Sequence, residues 1–146
     1  MGFIKPHGPI GSRIAAIARV LLGLALMYAG VGHITFSRLE FQAQVPNWLP
    51  LDPDLVVVLS GVVEIALGLG LVVLPKFQSY VGLLTAAFFI AIFPGNIAQF
   101  VGQVDAFGLT TDAARGIRLL FQPLLVLWAL WCTRALSLFG RARRTR

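Results

Sequence analysis

Residues 53–74 read PDLVVVLSGVVEIALGLGLVVL, an almost unbroken apolar run that, past Asp54 at its head, carries a second acid, Glu64, near its middle and is closed by Pro75. About 20 such residues, at roughly 1.5 Å each, cross the roughly 30 Å hydrocarbon layer of a bilayer as an α-helix. The front of the run is equally legible. Asp52 reads as an N-cap, Pro53 as a first-turn proline, and Asp54 as an acid at the positive end of the helix dipole.

Three further runs of the same kind lie on either side, so that the chain divides into spans at Ile14–Ile34, Leu55–Leu74, Tyr80–Gln99 and Arg115–Leu136. The fold class this implies is an all-α membrane protein, a four-transmembrane-helix bundle forming a single domain over residues 1–146. At 58% hydrophobic and 12% charged residues, with mean hydropathy +0.84, the chain has too little polar surface to cover a water-soluble globule. The net charge of +6 does not point to nucleic acid, because the basic residues cluster at the ends of the apolar runs. Cys132 is the only cysteine, which excludes an intrachain disulfide, a CxxC pair and a multi-thiolate metal site. Lys5 and Arg13 before an apolar stretch imitate a signal peptide, but the stretch lacks an A-x-A site and reads as a retained first helix.

Basic residues set the orientation. With both termini in the cytoplasm, one face holds Lys5, Arg13, Arg19, Lys76, Arg134, Arg141, Arg143, Arg144 and Arg146, against Arg38, Arg115 and Arg118 on the other. That is the positive-inside pattern, and it predicts a multi-pass protein of the bacterial inner (cytoplasmic) membrane. In the first extracytoplasmic loop, Ser37 and Glu40 have the spacing of a capping box, and Phe36 and Phe41 that of a hydrophobic staple. They predict a short helix over 38–44, ended by Pro46, which Leu39, Phe41, Trp48 and Leu49 would hold on the membrane face as a lid. At the other end, the basic tail 140–146 is expected to touch anionic lipid headgroups, and Arg19 to snorkel to the cytoplasm.

Gly23 and Gly30 lie seven apart in the first span, as Gly61 and Gly68 do in the second, which predicts close helix approach within a left-handed bundle, with a homodimer surface as the rival reading. Glu64 lies ten residues beyond Asp54, roughly 15 Å deep, where a charge costs about 2.5–3.5 kcal/mol and must be paired, hydrated or protonated. The other polar groups of the spans, His33, Ser60, Asn96, Arg118 and Gln122, all fall outward of it. Arg115, Arg118 and Gln122 share one helix face, as do Ser60 and Glu64. The depth of Arg118, roughly 6 Å, predicts an ion pair with Glu64 if their helices face each other. Pro94 is expected to break the third span, freeing the carbonyl of Ile90, so that Asn96 either satisfies loose carbonyls or meets a ligand.

This pattern resembles the DoxX-like family of small four-helix membrane proteins. The matching pieces are Ala29-Gly30-Val31-Gly32-His33 with Phe36, Val45-Pro46 before Leu49-Pro50, Ser60-Gly61-Val62-Val63-Glu64 with Gly68, Phe93-Pro94-Gly95-Asn96, and Arg118 with Gln122 ahead of Trp128. Together they cover about residues 14–132. The resemblance implies the four-helix topology and makes His33, Glu64, Asn96, Arg118 and Gln122 the positions of interest. Some relatives are described as subunits of thiosulfate:quinone oxidoreductases or as membrane parts of redox assemblies. A thiol-based version does not suit this chain, whose Cys132 lies away from the polar cluster.

The function expected is therefore that of a non-catalytic subunit with an outward-opening polar pocket for a quinone, a lipid headgroup or a similar amphiphile. His33, Ser60, Glu64, Asn96, Arg118 and Gln122 would bind it, with membrane lipid, a larger membrane complex or a second copy as partners. No catalytic residue, metal ligand set or resident cofactor is evident, and the two histidines, His7 and His33, are assigned to opposite faces. Two alternatives are a quinone-linked oxidoreductase component, with Glu64 moving protons, and a proton-coupled small-solute transporter.

Overall fold

The computed structural model describes residues 9–108 and 110–144. Lys5, His7 and Arg146, which entered the orientation argument, the histidine assignment and the basic tail, lie outside the described residues. Four long helices are present: α1 (Pro9–Ile34), α3 (Pro53–Val73), α4 (Gln78–Val101) and α5 (Asp112–Cys132). Two short ones complete the described residues, α2 (Arg38–Gln42) and α6 (Ser137–Arg144), with a 3-10 turn at Pro75–Phe77 between α3 and α4. The described residues contain no strand. All four long helices are long and apolar enough to cross a membrane, and each turns large apolar side chains outward, such as Leu21 on α1, Leu59 and Leu69 on α3, Leu84 on α4, and Leu120 and Leu127 on α5.

The start of α3 follows the sequence closely. Asp52 caps it by accepting from the Asp54 N–H at 3.0 Å, and Pro53 takes the first helical position. Thr111 caps α5 in the same way, its hydroxyl accepting from Ala114 N–H at 3.2 Å. By contrast, Ser37 makes no side-chain cap bond at the head of α2. The staple is not made either, since Phe36 tilts against Tyr28 at 5.5 Å between ring centres while Phe41 stacks on His33. The helix accordingly ends at Gln42, short of residue 44.

Pairing of the long helices is uneven: α1 packs chiefly on α3, and α4 on α5, while contacts between the two pairs are sparse. The α1–α3 seam is made by the glycine stripes. A Cβ on Gly23 would stand 2.7 Å from the Gly68 carbonyl oxygen, and one on Gly30 would stand 2.6 Å from that of Gly61. The glycines pair in opposite order along the two helices, so the helices are antiparallel and the stripes are used inside the chain. In the second pair the Thr133 side chain occupies the space a Cβ of Gly82 would need.

Two prolines act differently from expectation. Helix α4 continues through Pro94 without a break in assignment, so no unwound segment lies there. Pro75, beyond the end of α3, has no N–H for the carbonyl of Leu71 four residues earlier, and the guanidinium of Arg19 donates to that carbonyl instead. Arg19 is therefore buried, at 7% exposure, and held at the carbonyl end of α3, where a cation suits the helix dipole. It does not snorkel. At the same end Arg134, with φ 56°, turns the chain out of α5 and donates to Ser12 Oγ at 2.6 Å. After that turn the tail is helical over Ser137–Arg144.

Candidate functional site

Between the two helix pairs lies a cavity of about 620 Å³, and all six of the polar residues singled out in the sequence line it. His33 comes from α1, Ser60 and Glu64 from α3, Asn96 from α4, and Arg118 and Gln122 from α5, so each spanning helix contributes. Trp48, Leu49 and Pro46, from the loop leading into α3, close part of one end, and Leu22, Leu26 and Leu125 make an apolar floor. The sequence could place these side chains on helix faces but not on one another, because the faces meet only through the way the pairs dock.

Glu64 is 4% exposed. Its Oε2 lies 2.8 Å from His33 Nδ1, and the same nitrogen lies 2.9 Å from the Ala29 carbonyl oxygen. A nitrogen facing two acceptors carries its proton, so His33 is protonated at Nδ1. The hydrogen bond itself goes to Ala29, and Glu64 Oε2 is buried with no hydrogen-bond partner. The Glu64–Arg118 ion pair expected from depth is not formed. The Arg118 guanidinium instead sits 4.7 Å above the ring of Phe107.

A run of stacked groups crosses the end of the cavity that carries α2. The His33 imidazole stacks on Phe41 at 3.5 Å and 16°, Phe41 meets the edge of Phe107 at 4.7 Å, and Phe107 lies beneath Arg118. Phe107 holds φ 55°, a left-handed conformation that costs a bulky L-residue roughly 1–2 kcal/mol and persists where its surroundings fix it. Sequence reasoning missed Phe107 altogether, since nothing local distinguishes a loop phenylalanine that two distant helices claim.

The amides form a second network. Gln122 Nε2 donates to the Phe89 carbonyl at 2.7 Å, and Asn96 Nδ2 donates to Gln122 Oε1 at 3.0 Å. Asn96 therefore ties α4 to α5, two residues from Pro94, and the carbonyl that receives outside help is that of Phe89. Above it, Gln44 Nε2 donates to Gln99 Oε1 at 2.8 Å, and Gln99 Nε2 to the Val104 carbonyl at 3.3 Å. Gln99 is fully enclosed and was read in the sequence only as a helix end. Arg115 joins this network rather than the cavity. It donates to Val104 and to Asp112 at 2.9 Å, and pairs with Asp105.

Outside the cavity, Arg38 Nε donates to Asp54 Oδ1 at 2.6 Å and Gln42 Nε2 reaches the same oxygen at 2.7 Å, fixing α2 on the head of α3. The hydrogen bond to Asp54, and after it the charge attraction, raise the Arg38 guanidinium above its ordinary value. Among the described residues no group of His, Cys, Asp and Glu side chains could hold a metal ion.

A bundle of four apolar spanning helices around a polar-lined cavity defines a multi-pass helical membrane protein. More narrowly, the chain belongs to the family described as a domain of unknown function, DUF8561, whose model matches residues 22–133. No curated protein and no solved structure matches the chain.

Proposed function

We propose that this chain is a non-catalytic membrane subunit whose cavity binds a quinone, a lipid headgroup or a similar amphiphile, alone or within a larger assembly. The observation that carries this reading is the convergence of His33, Ser60, Glu64, Asn96, Arg118 and Gln122, from all four long helices, on one cavity with an apolar floor. Mostly apolar walls with a few polar groups are what a ligand site for an amphiphile requires. The volume of about 620 Å³ falls within the roughly 300–1,000 Å³ of small-molecule sites. Kinship with the DoxX-like proteins belongs to the same proposal.

The bilayer placement that goes with it has both termini in the cytoplasm of a bacterial cell, the cavity opening toward the outer face, and α2 lying on that face. The positive-inside count supports the orientation. Leu39 and Trp48, 80% and 70% exposed, support an interfacial position for the α2 segment, because each leaves a large apolar surface outside the bundle. Native mass spectrometry of the complex released from nanodiscs tests the reading. The expected result is a retained amphiphile that is lost in Leu125→Trp, which fills the floor; a bare chain with neither amphiphile nor partner subunit would end it.

A further inference from the structure

The arginines of the bundle differ in how their charge is met. Arg19 donates to the Leu71 carbonyl, Arg38 to Asp54 at 2.6 Å, and Arg134 to Ser12 at 2.6 Å. Arg115 has two carboxylates, Asp105 and Asp112, and the Val104 carbonyl. Among the buried and half-buried arginines of the described residues, Arg118 alone has no oxygen to donate to; its charge meets only the face of Phe107, 4.7 Å from Cζ. A ring face attracts a cation without accepting an N–H···O bond, so the donors of the guanidinium stay uncommitted. They are also accessible. Glu64 Oε2 and Arg19 Nε are sealed without a partner, whereas no Arg118 nitrogen is, and Arg118 lines the cavity.

No other lining group supplies the missing negative charge. Glu64 lies against His33, ten residues beyond Asp54 on α3, while Arg118 stands six beyond Asp112 on α5. Both helices start at the end that carries α2, so the carboxyl is the deeper of the two and the cation the nearer to that end. Gln122 and Asn96 are engaged with the Phe89 carbonyl and with each other. We propose that the cavity takes an amphiphile with an oxyanion head, a carboxylate or a phosphate, paired with Arg118 near the α2 end, its apolar tail lying along Leu22, Leu26 and Leu125. This rests on the cavity being an amphiphile site. A guanidinium presents its N–H donors in a fixed fork that matches two oxygens of a carboxylate or phosphate. A neutral carbonyl accepts one such bond but leaves the charge uncompensated in apolar surroundings, where an unpaired cation is costly. The floor lies on the side the tail needs, since Leu125 is seven residues beyond Arg118 on α5, roughly 10 Å deeper. The column of His33, Phe41 and Phe107 holds the cation in place before a ligand arrives, which lowers the ordering cost of binding.

The test uses the full chain in nanodiscs of zwitterionic lipid and three probes with the same alkyl tail: dodecanoate, dodecyl phosphate and the neutral methyl dodecanoate. Binding is read by tryptophan fluorescence, Trp48 being part of the lining. Comparing each probe between the wild-type chain and a variant cancels its partitioning into the bilayer. Arg118→Gln should weaken an oxyanion probe about ten- to hundredfold, the effect of a hydrogen-bonded charge partner, and the ester less than about twofold. A loss confined to dodecanoate assigns a carboxylate head, and one confined to dodecyl phosphate a phosphate head. Leu125→Trp should weaken every probe that binds. Equal losses for ester and oxyanions, or oxyanion binding unchanged in folded Arg118→Gln, overturn oxyanion selection but leave the amphiphile site standing. Binding of no probe removes both. Should Arg118→Gln fail to fold, Arg118→Lys, which keeps the charge and withdraws the fork, must weaken the oxyanion probes several-fold while sparing the ester, or the assignment falls.

Discussion

His33 and Glu64 meet at 2.8 Å between Nδ1 and Oε2, yet the proton on that nitrogen is directed at the Ala29 carbonyl. The two side chains are thus neighbours whose attraction is electrostatic rather than a hydrogen bond. Contacting polar residues in one buried site are expected to couple by about 1–3 kcal/mol. His33→Ala combined with Glu64→Gln should show that coupling in a double-mutant cycle of thermal unfolding in detergent. Arg118→Ala with Glu64→Gln, whose side chains share no partner, should add to within about 0.5 kcal/mol. Strong coupling of the second pair together with none in the first would reverse the arrangement described here.

Closeness at the α1–α3 seam makes a second prediction. Gly61→Val or Gly68→Val sets a branched side chain against a backbone carbonyl of α1, at 2.8 Å from Gly30 O for the first, and neither helix can yield without the other. A loss of about 3 kcal/mol is expected from overpacking. Gly140→Ala, where nothing lies within 4 Å of the added carbon, should stabilise α6 by up to about 1 kcal/mol. Differential scanning fluorimetry on the purified variants checks both signs.

Backbone strain gives a third. Gln103 and Phe107 hold φ 51° and 55°, but only Phe107 is held by ring contacts. Gln103→Gly should gain about 0.5–1 kcal/mol, the relief of the left-handed conformation less the added freedom of the unfolded chain. Phe107→Gly should instead lose about 1–2 kcal/mol, because the packing on Phe41 and Arg118 outweighs the strain. Equal signs for the two changes in chemical denaturation would show that Phe107 is not a keystone.

The proposed orientation is open to chemical labelling. Cys132 is buried at 2% exposure and should be silent to a membrane-impermeant maleimide. In intact cells with a permeabilised outer envelope, Thr110→Cys should be labelled and Gly140→Cys protected; inverted vesicles should exchange the two results. Labelling of Gly140→Cys in the first preparation would turn the protein over in the bilayer.

Helix positions were legible because hydrophobic length is a property of each segment by itself. The boundary at Asp52-Pro53-Asp54 was read to the residue, since cap, proline and acid act locally. The six lining residues were legible for a different reason: a polar group in an apolar run has few places to go except a shared interior. Their partners were not legible. Depth alone favoured Arg118 for Glu64, whereas the packing of α1 on α3 through glycine brings His33 there first, since His33 stands on the same tight seam. Arg19 was misplaced for a related reason. Its depth allowed snorkelling, but the carbonyl orphaned by Pro75 on another helix was the nearer partner.

The division into α1–α3 and α4–α5 pairs bears on how such a chain enters a bilayer. Several polar groups that would be hard to abandon in lipid meet a partner inside their own pair: Glu64 lies against His33, Leu71 O accepts from Arg19, and Asn96 donates to Gln122. Each half can therefore leave the insertion machinery as a hairpin already at ease with hydrocarbon, needing nothing from the half still to be made. Later contacts, among them Trp128 to the Ala18 carbonyl at 3.1 Å, Arg134 to Ser12 and Gln44 to Gln99, join the halves. The cavity comes into being at that last docking step, so an occupant that touches both hairpins would also act as the clasp that completes biogenesis.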